Sequence, residues 1–133
     1  MIFNQPKRCK QIIIMKNKTI NLNYKGKKYL LKVKQVGFFR EAWGLMFVPK
    51  LRAKPLVFEF EKSTKMAIHS WFVFFPFIAI WLDANNNILE FKIVKPFKFH
   101  ISPSIKYNKL VEVPLISKYA QIMKFLVGNK KFK

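Results

Sequence analysis

The chain has 133 residues, enough for one hydrophobic core and too few for two comfortable ones. Hydrophobic residues make up 51% and aromatics 17%, which excludes a disordered polymer despite a formal charge of +20. A single cysteine, Cys9, excludes an intramolecular disulfide framework.

The charge is lopsided: 26 Lys and Arg stand against six Asp and Glu, and all six acids lie between Glu41 and Glu112. Abundant Ile, Lys, Asn and Phe fit a coding bias toward A and T. That bias accounts for Lys in place of Arg, but not for the shortage of Glu. Two readings follow: a partner of opposite charge, or a charged rim that keeps a greasy fold dissolved.

Residues 1–18 read as a basic lead segment, with "QIIIM" able to supply one strand. Cys9 lies in "NQPKRCKQ", a polar setting that makes it incidental. Met1–Phe3 is too short for a secretory signal core, so the default expectation is a cytoplasmic location. Residues 19–128 form the expected single domain, and 129–133 a basic tail.

"TINLNYKGKKYLLKVKQV" has the alternation of a β-hairpin, with Lys25-Gly26 as its turn. Tyr29, Leu31 and Val33 point one way, Lys28, Lys32 and Lys34 the other. Phe39, Trp43 and Met46 recur at helical spacing, predicting a short helix that Pro49 ends. "PLVFEFE" returns to alternation, with Leu56, Phe58 and Phe60 on one face.

The uncharged run Met66–Leu82 is 17 residues long and carries His69, Ser70 and Pro76. A spanning helix needs about 20 apolar residues, and aromatic and β-branched residues favour strands. Two buried strands are expected, Met66–Phe74 and Phe77–Leu82, with Pro76 at a bend or edge. "DANNN" (Asp83–Asn87) is a turn. "ILEFKIV" alternates again, and Phe97, Phe99 and Ile101 continue its period. "KLVEV" is a short strand. Ile116, Tyr119, Ala120, Met123 and Leu126 share one face of a closing helix, which Gly128 caps. The expected class is β-rich α+β: a mostly antiparallel, partly closed barrel or sandwich with one short helix after the first hairpin and one C-terminal helix.

Four blocks occur in order: "FREAWGLMF" (Phe39–Phe47), "IHSWFVFFP" (Ile68–Pro76), "IWLD" (Ile80–Asp83) and "VEVP" (Val111–Pro114). Together they resemble the domain of unknown function 192 family, particularly its archaeal branch, over about Leu30–Gly128. The resemblance implies a β-rich fold and no established biochemical activity. The chain departs from that family's pattern at three places. Ile78 stands where the family has Asp, Leu115-Ile116 replace Ala-Gly, and Gly128-Asn129 replace Gly-Asp. These polar family positions read more readily as turn and cap residues than as a shared site.

One Cys and two His, widely spaced, do not make a zinc set. Asp83 is the only aspartate available to a triad with His69 or His100, and turn formation is its simpler role. No nucleophile elbow, phosphate loop or dinucleotide fingerprint is present. The expectation is a non-enzymatic binding or interaction domain with no metal and no cofactor. Its expected partner is a polyanion, either nucleic acid or an anionic membrane surface, with a protein partner also open. The lysines expected to engage it are Lys25, Lys27, Lys28, Lys32, Lys34, Lys95, Lys98, Lys106 and Lys109. Tyr107 and Phe132 are candidates to stack unpaired bases. A location peripheral to a membrane would suit the same lysines. The alternatives are a small-ligand pocket around His69 and Trp71, and a purely structural protein whose charge confers solubility.

Overall fold

The computed structural model describes residues 16–35, 53–68, 70, 73–98 and 100–127. The predicted helix around Phe39–Met46, the strand in "QIIIM" and the Gly128 cap lie outside these residues.

Six strands form one sheet: β1 (Lys16–Tyr24), β2 (Lys27–Gln35), β3 (Leu56–Thr64), β4 (Phe77–Leu82), β5 (Ile88–Val94) and β6 (Tyr107–Pro114). A short 3-10 turn (Ser117–Tyr119) leads into α1 (Ala120–Val127). The strand order is β1-β2-β3-β6-β4-β5. All pairings are antiparallel except β2–β3, where Lys34 and Gln35 run parallel to Leu56 and Val57. The sheet is therefore mixed, a detail that alternation alone cannot reveal.

The sheet curls until its two edges approach. Asn23 of β1 donates its backbone N–H to the Asn86 carbonyl at 3.0 Å, and its side-chain amide reaches the Asn85 carbonyl. The result is a half-barrel. The β1–β2 hairpin closes through Lys25 and Gly26, both left-handed at φ 50° and 80°, a geometry that matches the twist of paired strands.

Alternation along the strands builds two apolar layers. One face carries Leu56, Phe58, Phe77, Ala79, Trp81, Tyr107 and Leu110. The other carries Ile20, Leu22, Leu31, Val33, Val57, Ile78, Ile80, Val111 and Val113, and α1 lays Ile122, Met123 and Leu126 onto it. Every residue of β4 is buried, because this strand lies between β5 and β6 and both its faces are covered. Here the second half of the long uncharged run finds its place. Among the described residues no helix is long and apolar enough to cross a membrane.

The first half of that run behaves differently from expectation. Of the predicted strand Met66–Phe74, Ile68 makes one isolated antiparallel bridge to Ile101, and the other described residues are not in a strand. Among the described residues this segment forms no ladder with the sheet; it lies across the first layer and buries Ile68, Val73 and Phe75 there. Phe97 does not continue β5: its φ of 61° makes a turn. Leu89 is the extra residue of a β-bulge, since Trp81 faces Glu90 while Leu82 faces Ile88. The bulge sends Leu89 to the first layer and Phe91 to the second. In the closing segment the α-helix begins at Ala120, which is exposed, and the buried stripe is Ile122, Met123 and Leu126.

Candidate functional site

The hairpin register sets out a row of lysines. Lys28, Lys32 and Lys34 on β2 lie opposite Asn23, Thr19 and Asn17 on β1. The other side of the same hairpin carries Ile20, Leu22, Leu31 and Val33 into the core, so burial of one face forces the lysine face outward. From Lys28 to Lys34 the row runs roughly 20 Å along the strand. Lys25 lies in the turn at the tip, and Lys27, one position before Lys28, falls on the other face of the strand.

At its Lys34 end the row opens into a cleft. The parallel pairing of β2 with β3 lasts only two residues, and upstream of it the two chains part. The Lys34 N–H still reaches the Pro55 carbonyl at 2.9 Å. Lys32–Lys34, Lys54-Pro55, Asn17–Thr19 and the Lys118-Tyr119 turn enclose about 580 Å³. Five lysines, Lys18, Lys32, Lys34, Lys54 and Lys118, line this space. Glu59 supplies a carboxylate that pairs with Lys18 and also accepts from Gln35 Nε2 at 3.3 Å. The Lys118 ammonium lies 5.7 Å from the Tyr119 ring, and burial raises the Tyr119 phenol above its ordinary value, keeping it a hydrogen-bond donor. An anion entering the cleft meets lysines from several elements and gains attraction from each.

The nine lysines named from sequence therefore do not form a single cluster. Lys32 and Lys34 reach the cleft, joined there by Lys18, Lys54 and Lys118, which sequence reasoning did not single out. Lys25, Lys27 and Lys28 occupy the opposite end of the hairpin. Lys109 belongs to that end as well, donating to Asn86 Oδ1 at 2.7 Å beside the Asp83–Asn87 turn. Lys106 precedes β6 on the same side. Lys95 and Lys98 follow β5 and return to the cleft end of the sheet. The register shows why: Lys34, Leu56, Glu112, Ala79 and Lys92 form one row across five strands, and Lys95 lies just beyond it.

The Lys95–Lys98 turn is tightly held. Ser70, fully buried, donates its hydroxyl to the Lys95 carbonyl at 2.7 Å and accepts the Lys98 N–H at 2.6 Å. Its backbone carbonyl accepts from Phe97 N–H at 2.8 Å, and its own N–H donates to the Lys98 carbonyl at 2.9 Å. These four bonds hold Phe97 in a left-handed conformation that costs an aromatic residue about 1–3 kcal/mol. Phe97 is 54% exposed, and its ring meets that of Phe74, a residue 58% exposed, edge to face at 5.8 Å. Tyr107, expected as a stacking residue, is instead wholly buried. Its hydroxyl donates to the Met66 carbonyl at 2.7 Å, and its ring packs on Phe60 and Trp81. Phe132, His69 and Trp71 lie outside the described residues, and with them the proposed pocket.

Asp83 is a turn residue. Burial works to raise its carboxyl, but bonds from the Asn87 side chain and the Asn87 and Asn85 N–H groups, with Lys109 nearby, hold it below its ordinary value. Glu112 is the opposite case. It is fully buried beside Leu56 and Ala79, neither oxygen has a hydrogen-bond partner among the described residues, and burial pushes its carboxyl up to about 8. Ile78, standing where the resembled family has Asp, is wholly buried among aliphatic residues. Among the described residues no three His, Cys, Asp or Glu side chains come together as a metal site would require.

No family model matches the chain. Over 98 residues it is 26% identical to the UPF0127 protein PH1112 of Pyrococcus horikoshii, covering 74% of this chain and 81% of that one. The fold is similar to that of a protein of unknown function from Novosphingobium aromaticivorans, with a TM-score of 0.67 at 10% identity over 90% of this chain and 94% of the other. A protein of Sinorhizobium meliloti, provisionally described as a transcription regulator, gives a TM-score of 0.63 at 13% identity over 77% and 81%. At such identities the two structures share the fold with this chain, and nothing finer. The curated relative belongs to an uncharacterised family, so the functional reading rests on the geometry above.

Proposed function

We propose that this protein is a small non-enzymatic binding domain that engages a polyanion through the lysine-lined cleft and the hairpin row leading into it. We also propose that it is a divergent member of the domain of unknown function 192 family, on the four sequence blocks. The carrying observation is the convergence of Lys18, Lys32, Lys34, Lys54 and Lys118 around one concavity of about 580 Å³. The volume lies in the range of ligand sites, about 300–1,000 Å³, but its lining is ammonium where small-molecule pockets are apolar. Concavity favours a flexible anionic chain such as a nucleic acid over a flat membrane surface, whose headgroups cannot follow lysines into a cleft.

Each phosphate neutralised by a lysine releases condensed counterions, so affinity falls as salt rises, by about 0.7 log unit per contact for each tenfold rise in salt with a single strand. Fluorescence anisotropy with a labelled single-stranded oligonucleotide, repeated across a salt series, tests the reading. The triple variant Lys34→Glu, Lys54→Glu, Lys118→Glu should bind more weakly and with a shallower salt slope. Binding indifferent to salt, or unchanged in the triple variant, would refute it.

A further inference from the structure

The Phe74–Phe97 pair has features that a merely solubilising charged surface does not explain. Two phenylalanines, each more than half exposed, stand with their rings edge to face, whereas the other eleven described aromatics are buried or half-buried. Exposure of Phe97 is not slack packing. Its backbone is held at φ 61° by four hydrogen bonds from the buried Ser70 to the turn, so the ring is displayed from a rigid base. Exposed lysines, Lys95 and Lys98, flank Phe97 in the same turn. The strand register places this turn at the end of the sheet where the cleft opens, three strand positions from β3, or about 15 Å across the sheet.

We infer that Phe74 and Phe97 form a stacking platform for the unpaired bases of a single-stranded nucleic acid, with Lys95 and Lys98 holding the phosphates beside them. The inference rests on the polyanion reading above and supplies its chemical class. Any base presents a π-face, so stacking tolerates all sequences, while the lysines follow the backbone. An edge-to-face pair suits this use, because its rings lie in different planes and leave aromatic surface open for a base. A planar bilayer would engage two phenyl rings as well, but it would leave the lysines of the neighbouring cleft without partners.

The test compares two labelled probes of about a dozen nucleotides, within the site sizes of small β-barrel binders. One is an oligothymidine; the other is an abasic chain with the same phosphates and no bases. Wild-type protein should bind the oligothymidine at least about fivefold more tightly, the lower end of what one stacked base supplies. The double variant Phe74→Ala, Phe97→Ala should lose that preference while keeping its affinity for the abasic chain. Phe74→Tyr, Phe97→Tyr, which preserves aromatic faces, should retain the preference, and it guards against a folding defect in the alanine pair. Equal wild-type affinity for both probes overturns the platform and leaves the lysine cleft standing. No binding to either probe overturns both readings. Loss of binding to phosphatidylserine vesicles in the alanine pair, with oligothymidine binding intact, overturns the platform in favour of a membrane anchor.

Discussion

Glu112 offers the sharpest test of the core. Its carboxyl is wholly buried on the first apolar face, between Leu56 of β3 and Ala79 of β4, and burial lifts it to about 8. In the unfolded chain the same carboxyl titrates near its ordinary value of 4.5. Between these values the folded protein keeps a proton that the unfolded chain has released. Its contribution to stability is therefore complete below about 4.5 and declines as pH rises toward about 8. The slope is about 1.4 kcal/mol per pH unit, or about 3 kcal/mol between about pH 5 and about pH 7. Against the roughly 5–15 kcal/mol of a typical domain, that loss is large. Urea unfolding followed by tryptophan fluorescence, across a pH series, measures it. Glu112→Gln removes the titration and keeps the shape, so its stability should stay level over that interval and exceed wild type at neutral pH. Asp83 and Glu90, both held below their ordinary values, act only in the acid range and do not obscure the comparison. Parallel pH curves for wild type and Glu112→Gln would show that the buried carboxyl does not hold its proton.

Two further outcomes follow from the packing. Ile122→Ala opens a cavity where α1 meets the second layer, at a fully buried position, and should cost about 2–5 kcal/mol by urea denaturation. Asp83→Ala removes three accepted hydrogen bonds from the turn that also anchors Asn23 through Asn85 and Asn86. It should cost about 1–2 kcal/mol at neutral pH. Because the Asp83 carboxyl is depressed, its contribution is present above about 3.8 and lost as pH falls, so the variant's deficit should shrink in strong acid.

The hairpin was legible because its alternation and its Lys25-Gly26 turn are local signals, and the structure pairs Ile20 with Leu31 and Leu22 with Tyr29 as that pattern requires. β3, β5, β6 and the closing helix were legible for the same reason. Met66–Phe74 misled because a strand is made by a partner as much as by its own residues. Its composition suits a strand, yet among the described residues it makes only the single Ile68–Ile101 bridge and serves as cover over the first layer. Tyr107 misled in a similar way. Aromatic side chains beside lysines look alike in sequence whether they face bases or the core, and burial alone separates Tyr107 from Phe74 and Phe97. Lys54 and Lys118 could not be joined to Lys34 from sequence, since 20 and 84 positions separate them from it.

Local pattern, read residue by residue, determined that this is a β-rich chain with an outward lysine face on its first hairpin, because solvent and core sort side chains at a period of two. Tertiary structure alone decided the order of the strands, the parallel contact where β2 and β3 part, and the cleft that this parting leaves. Those features depend on which distant edges find each other. That choice is made by the packing of two apolar layers around β4, and nothing local to Lys34, Lys54 or Lys118 encodes it.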